Sequence, residues 1–562
     1  MMRVRLILFV GMCLALGALT HADTNESVQA QKQPNRFRMT AKGLSLEARG
    51  GVPVSGVVLY EPDVSQPTTN PFDEIGPNRR CNQDPIGNAQ NETPGAASPV
   101  NTNNVLAGAN DYRNGDASGG FYCTTDGGNS WYDALVTRGP VGVFEAAGDP
   151  VPAVDNTGRM YVAYIAFDRT SPDNGLYVQT STNNGASWSN PVAVAQHTGG
   201  GDSDFEDKPY AACDYSPDSP YQNNFYITWT KFLASGGSPI YFSRSTNGGT
   251  SFSVPLRIST SSSCQFSCPA VGPNGEVYAV WFSYSNSTIK FDRSTDGGIT
   301  WGSDITVASF DDDFPSNPCG SFRTPAYPVI ACDISSGPRR GWLYVCWADA
   351  RNGNPDIFFS RSTNGGTSWS AASRVDDDGT GRWQWWQWMA VHPTNGDIGA
   401  SWLDRREDPA GCQYKTYATL STDGGTTWLP NFVVADIASN PTGADFLGDY
   451  CGTTFRSDGF YSVWVDLRNE VAPPRPGDCY AAWWTTSLSP SPTELVISPS
   501  GADAQLQWNS TNAPYYRVYS NVEPFGVYST FEGSSSDTSF LDLNALADDT
   551  VKFYQVRAST SP

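Results

Sequence analysis

Acidic and basic residues recur as close pairs along this chain, at Asp111/Arg113, Asp168/Arg169, Asp349/Arg351, Asp404/Arg405 and Asp466/Arg468, each at the end of an apolar run. Other polar residues stand where further apolar runs begin. They include Glu92, Asp149, Glu206-Asp207-Lys208, Gln265, Phe322-Arg323-Thr324-Pro325, Gln384 to Gln387 and Gly448-Asp449-Tyr450. The planar fork of Arg grips a carboxylate through two bonds. Neighbouring carboxyl groups can take up and release protons, and a Tyr beside an Asp, as at Asp449-Tyr450, is a candidate nucleophile. The run Trp383-Gln-Trp385-Trp386-Gln-Trp388 reads in two ways. Its rings stack on sugars while Gln384 and Gln387 bond hydroxyls, or they pack between sheets. The acid–Arg pairs likewise read as a ligand clamp or as a repeated structural ion pair. Asp311-Asp-Asp313, Asp376-Asp-Asp378 and Asp202-Ser-Asp204 are loop carboxylates of the kind Ca²⁺ takes, or ordinary solvated loops.

Several chemistries are excluded. There are three His (His21, His197 and His392), no HExxH and no zinc spacing. A Ser–His–Asp triad would have to use His197 or His392, which lie in ordinary strand or loop text. A net charge of −22 repels phosphate backbones, so nucleic acid is not an expected partner. Met1 to Arg5 is basic, Leu6 to Leu19 is apolar, and Thr20-His21-Ala22 offers a small-residue cleavage site. This is the pattern of a secretory signal over 1–22, too short to span a membrane, and no later run reaches spanning length. An extracellular or periplasmic location follows as the expectation. Eleven of the 12 Cys lie beyond that segment. In an exported chain most should pair, with Cys264–Cys268 and Cys319–Cys332 as near candidates.

These residues need positioning elements, and the chain repeats them. Aromatics make up 13% of the residues and charged residues only 16%, which favours many buried strands over charged helices. One eight-residue pattern occurs six times: a hydroxyl residue, any residue, Asp or Asn, any residue, Gly, any residue, Ser or Thr, an aromatic. Its acid or amide stands at Asp126, Asn183, Asn247, Asp296, Asn364 and Asp423. Each copy reads as a tight turn, with the side-chain oxygen folded onto backbone N–H groups and Gly supplying positive φ. A strand of the type Leu343-Tyr-Val-Cys-Trp-Ala-Asp349 occurs seven times, five of them ending in the acid–Arg signature. Units of about 60 residues with four antiparallel strands, set radially, make a β-propeller.

The six turns are similar to the Asp boxes (bacterial neuraminidase repeats) of the sialidase superfamily, over roughly residues 91–488. The resemblance implies boxes between the third and fourth strands of each blade, on the face away from the active site. It also implies three Arg holding a substrate carboxylate, a Tyr polarised by Glu as nucleophile, and an Asp as general acid/base. The family's Phe-Arg-Ile-Pro motif has its nearest match in Phe322-Arg323-Thr324-Pro325, which follows four boxes where the family's copy precedes them. Candidate catalytic residues are then Arg323, Arg405, Arg468, Asp207 and Tyr450. Candidate ligand-binding residues are Trp383, Trp385, Gln387 and Asp449.

The expected fold is all-β, with a leader at 23–50 and a propeller over 51–488. Seven blades are favoured over the family's six, with Gly51 to Val64 as a closing outer strand. A linker at 489–493 precedes short alternating strands over 494–562 that resemble a small fibronectin type III-like sandwich. Because no ordered catalytic set can be traced, the expected function is binding of extracellular glycans or cell-surface proteins at the face opposite the boxes. No cofactor is required, and Ca²⁺ is an option. The alternative is a sialidase-like exo-glycosidase acting on acidic sugars.

Overall fold

The computed structural model describes residues 75–485, apart from 86, 140–143, 200–203, 313, 315–316, 318, 320–321, 326, 445 and 470–476. Beyond these it describes the C-terminal strands within 495–559. Every regular element in the described residues is a strand. Seven antiparallel sheets, each built on four strand positions, follow one another from Gln90 to Thr485. Their innermost strands are Gly95–Ala97 (preceded by Gln90–Asn91), Ala146–Val154, Phe205–Cys213, Cys264–Val271, Val329–Cys332, Gln384–Val391 and Gly452–Arg456. Each innermost strand packs against the next, and the seventh returns to the first, so the sheets form a closed seven-bladed propeller. Two three-stranded sheets lie beyond it in the sequence, Leu495–Ser500, Asp503–Trp508 and Ser539–Asp542 in one, and Thr530–Ser535, Tyr515–Asn521 and Phe553–Ser559 in the other.

Second strands such as Leu343–Asp349 are buried at every position. A neighbouring blade covers each face, so these strands read as continuous apolar runs without alternation. One acid is kept in this core by a repeated arrangement. Trp347 Nε1 donates to Asp349 Oδ2 at 2.9 Å, and Arg351 pairs with the same carboxylate at 2.5 Å. Trp402, Asp404 and Arg406 repeat it, as do Trp464, Asp466 and Arg468. Residues two apart share one face of a strand, which places the indole beneath the carboxylate.

The repeated turns connect third and fourth strands. In blade five, Leu343 pairs with Ser362, which opens a turn, whereas Asp349 pairs with Asp356 at the far end of the same two strands. The turn and the acid–Arg corner therefore lie at opposite ends of this blade. In the turn of blade four, the backbone N–H and hydroxyl of Thr300 donate to the two Asp296 oxygens at 2.9 and 2.5 Å, and Ser294 Oγ donates at 2.7 Å. Slight burial works against the charged form, yet these bonds hold Asp296 down at about 2. The second Gly adopts positive φ where the preceding blade approaches. A Cβ on Gly298 would stand 2.5 Å from the Phe242 ring. Trp301, Trp369 and Trp428 each meet a third-strand Phe of the preceding blade, at 4.9, 5.3 and 5.2 Å between centroids. Arg244, Arg293 and Arg361 reach across the same boundaries to turn carbonyls. The turns thus fasten blade to blade. Asp296→Ala is expected to lower stability by about 1 kcal/mol, read as a shift in the urea midpoint of Trp fluorescence.

Two expectations are corrected. The closing outer strand is Arg79–Arg80, which pairs with Ala481 and Tyr480 on Asp478–Thr485. Gly51 to Val64 and the signal segment lie outside the described residues. Among the described residues the disulfide is Cys319–Cys412, linking the loop before the innermost strand of blade five to the loop between the second and third strands of blade six. Cys264, Cys268 and Cys332 are free and buried, as are the six other unbridged cysteines described. Spacing suggested the near pairs, but the partners are set by which loops the ring brings together.

Candidate functional site at the propeller axis

Charged residues gather at the axis, at the end of the ring away from the repeated turns, and backbone irregularities put them there. The innermost strands of blades two, three, four and six each break register at the same point, between Gly148 and Val151, Asp207 and Tyr210, Gln265 and Cys268, and Trp385 and Trp388. Each break contains a residue with positive φ: Asp149 (50°), Lys208 (49°), Phe266 (58°) and Trp386 (52°), and Glu92 (57°) interrupts the innermost strand of blade one. Bulges re-aim side chains, and non-glycine residues in this backbone region are held there only by a well-determined surround.

Lys208 is the hub. Its ammonium lies 2.5 Å from Glu92 Oε1, 2.8 Å from Asp449 Oδ2 and 3.3 Å from Asp149 Oδ1, with all four side chains buried. Arg323 grips Asp449 through two bonds, Nε to Oδ1 at 2.6 Å and Nη2 to Oδ2 at 2.5 Å. Asn110 Nδ2 donates to Glu92 at 3.1 Å, while its Oδ1 accepts from the Asp149 backbone N–H at 2.6 Å. Burial alone would raise Asp149, but the Lys208 charge overrides it and holds that carboxyl at about 2. Burial opposes ionisation of Asp449 too, and Lys208 and Arg323 keep it below its usual range. Burial and then the Asp149 charge push Glu92 well up. Asp207 is half-buried beside this network. Burial and the Asp149 charge push it up to about 7, and Lys208 and Arg323 only partly offset them.

Beneath the charges lies an aromatic plug. Tyr210 meets Trp388 at 4.4 Å between centroids, and Tyr327 and Tyr450 complete the group. Tyr450 is 1% exposed, its hydroxyl has no hydrogen-bond partner, and Lys208 Nζ stands 5.8 Å from its ring. Burial and the Glu92 charge push the phenol well up. Past the plug the axis holds a cavity of about 160 Å³, lined by small residues of the innermost strands, among them Ala96, Ala153, Ala211, Ala270, Ala331 and Ala390. On the solvent side, Arg323 is half exposed over the Phe446 ring, and the 38%-exposed Tyr284 feels both Arg323 and Asp449.

The residues singled out from sequence are distributed unevenly. Arg323, Asp207 and Asp449 meet at this cluster. Tyr450 is not on the rim but in the plug. Arg468 is consumed by Asp466 and Asp436. Arg405 does not pair with Asp404, which takes Arg406 instead. It is buried against Trp383 and Trp385, and burial lowers it to about 10. Trp383, Trp385 and Gln387 are buried and present no face to a ligand, and Gln387 donates to the Tyr327 and Cys346 carbonyls. The three Arg therefore form no common clamp. Of the proposed Ca²⁺ loops, Asp376 pairs with Arg374 and Asp378 accepts from Thr380. No group of three or more His, Cys, Asp or Glu among the described residues is placed to hold a metal. The sequence reading noted Glu92, Asp149 and Lys208 as strand entries but missed that they form one network.

No protein-family model matches the chain, and no curated protein matches it. Solved structures of like fold include a Hadza microbial sialidase, at 14% identity and TM-score 0.41, covering 56% of this chain and 63% of that one. The intramolecular trans-sialidase from Ruminococcus gnavus matches at 13% and 0.40, covering 58% and 93%. The GH93 α-L-arabinofuranosidase of Fusarium graminearum matches at 10% and 0.40, covering 73% and 98%. Likeness at this level concerns the fold alone.

Proposed function

We propose that this protein is exported and binds extracellular glycans at the axial cluster. The observation that carries the reading is a half-buried carboxyl, Asp207, held between a buried ion network and an open mouth where the Tyr284 ring is exposed. Carboxylate and Arg groups bond sugar hydroxyls, and an exposed ring stacks on the apolar face of a pyranose. The six repeated turns are read as Asp boxes, which leaves the opposite end for ligands. The C-terminal sheets are read as a fibronectin type III-like spacer.

A second reading is glycoside hydrolysis, favoured by the elevation of Asp207 to about 7, which suits a proton donor at neutral pH. The test uses the mature chain on a broad glycan array and on fluorogenic aryl glycosides. Asp207→Asn and Tyr284→Ala should each weaken retention at least tenfold, while Ile299→Ser, exposed on a turn at the opposite end, should leave it unchanged. Retention that survives both mouth variants would remove the axial site. Turnover by the parent chain that is lost in Asp207→Asn would promote the hydrolytic reading.

A further inference from the structure

At the mouth of the propeller, several of the described cations already have carboxylate partners. Arg323 holds Asp449 through both bonds of its fork. Arg351, Arg406 and Arg468 each hold the acid two residues before them. Arg113 is shared between Asp111 and Asp133, and Arg169 reaches to Asp116 of the preceding blade. Arg405 is boxed by aromatic rings and buried. Lys208 is closed off beneath the mouth by three carboxylates.

We infer that the axial site selects uncharged glycans and rejects those bearing a carboxylate. This rests on the glycan-binding reading above and narrows it. Among the described residues, the half-buried Asp207 is an acceptor for sugar hydroxyls and, when ionised, a repulsive charge towards a uronate or sialate. A carboxylated sugar would compete with Asp449 for Arg323, whose Nε and Nη2 already hold that buried carboxylate. Rejection by an unpaired like charge is an effective route to specificity, because the wrong ligand loses more than the right one gains. The charge of the whole chain, −22, acts in the same sense at longer range.

The test compares matched oligosaccharides on the full mature chain by calorimetry at pH 8 and low salt. One pair is a galacto-oligosaccharide and the galacturonan of equal length, and another is N-acetyllactosamine and its sialylated form. The neutral member should bind at least tenfold more tightly in whichever pair is recognised. Discrimination should shrink at pH 5, where Asp207 is protonated, and in Asp207→Asn. Equal binding, or preference for the acidic member, would overturn the inference while leaving the glycan reading intact. A ratio unchanged both by pH and in Asp207→Asn would also overturn it. Absence of binding to either member of any neutral or acidic pair would fall on the glycan reading itself and take this inference with it.

Discussion

Lys208→Met is expected to destabilise the propeller by about 3–5 kcal/mol at pH 8, the usual cost of removing one partner from a buried ion group. Glu92, Asp149 and Asp449 would remain in a poorly solvated interior, with Arg323 paired to Asp449 as the remaining described cation of the network. The deficit should shrink at pH 5, because the stranded carboxyls then take up protons more readily. Thermal unfolding of parent and variant at both pH values checks this, and an equal deficit at pH 5 and pH 8 would refute the electrostatic account.

The parent chain has its own pH signature. Asp149 is depressed to about 2, so its contribution is present above the unfolded value of about 3.9 and fades as pH falls towards 2. Asp207 and Glu92 are raised. Their contribution is full below the unfolded values near about 4 and declines as pH rises, through about 7 for Asp207. The parent should therefore lose stability from pH 5 to pH 8.

Asn82→Ala is expected to cost about 2–4 kcal/mol, because it strips a buried amide from the ring's closing seam. Asn82 Nδ2 lies 2.7 Å from Asp84 Oδ1, 2.8 Å from Gln90 Oε1 and 2.8 Å from Asp478 Oδ1, and its oxygen accepts from the Cys479 N–H at 3.0 Å. The residue is fully buried, so water cannot replace these bonds. Asn82→Asp should be no better, since it would add a charge beside Asp84 and Asp478. Melting temperature and hydrogen exchange at Cys479 and Tyr480 provide the readout. Exchange in these strands that matches the parent would argue against a role for Asn82 in closure.

Seven blades were legible in the sequence because the second strands are covered on both faces and written as long apolar runs, such as Leu343–Asp349. The six turns were legible because each needs Gly and a short side-chain oxygen at fixed positions. The closing strand was not, since two adjacent arginines carry no strand periodicity and owe their place to the edge they pair with. The axial network was only half legible. All six residues stand out as strand entries, but Asp149, Lys208 and Glu92 sit where the backbone departs from strand geometry, and alternation says nothing there about direction, so their convergence was not legible. Trp383 and Trp385 show the opposite failure. An aromatic run at a strand entry looks like a sugar platform, but packing against Arg405 covers it.

The seam also imposes an order of events on the nascent polypeptide. Asn82 and Asp478 are 396 positions apart, which at about 5–20 residues per second separates their synthesis by about 20–80 s. Through that interval the growing arc has no final partner for its first edge. Arg79 and Arg80 stand on that edge, and a pair of cations there discourages premature docking with other chains. The same two residues complete the circle once the seventh blade arrives.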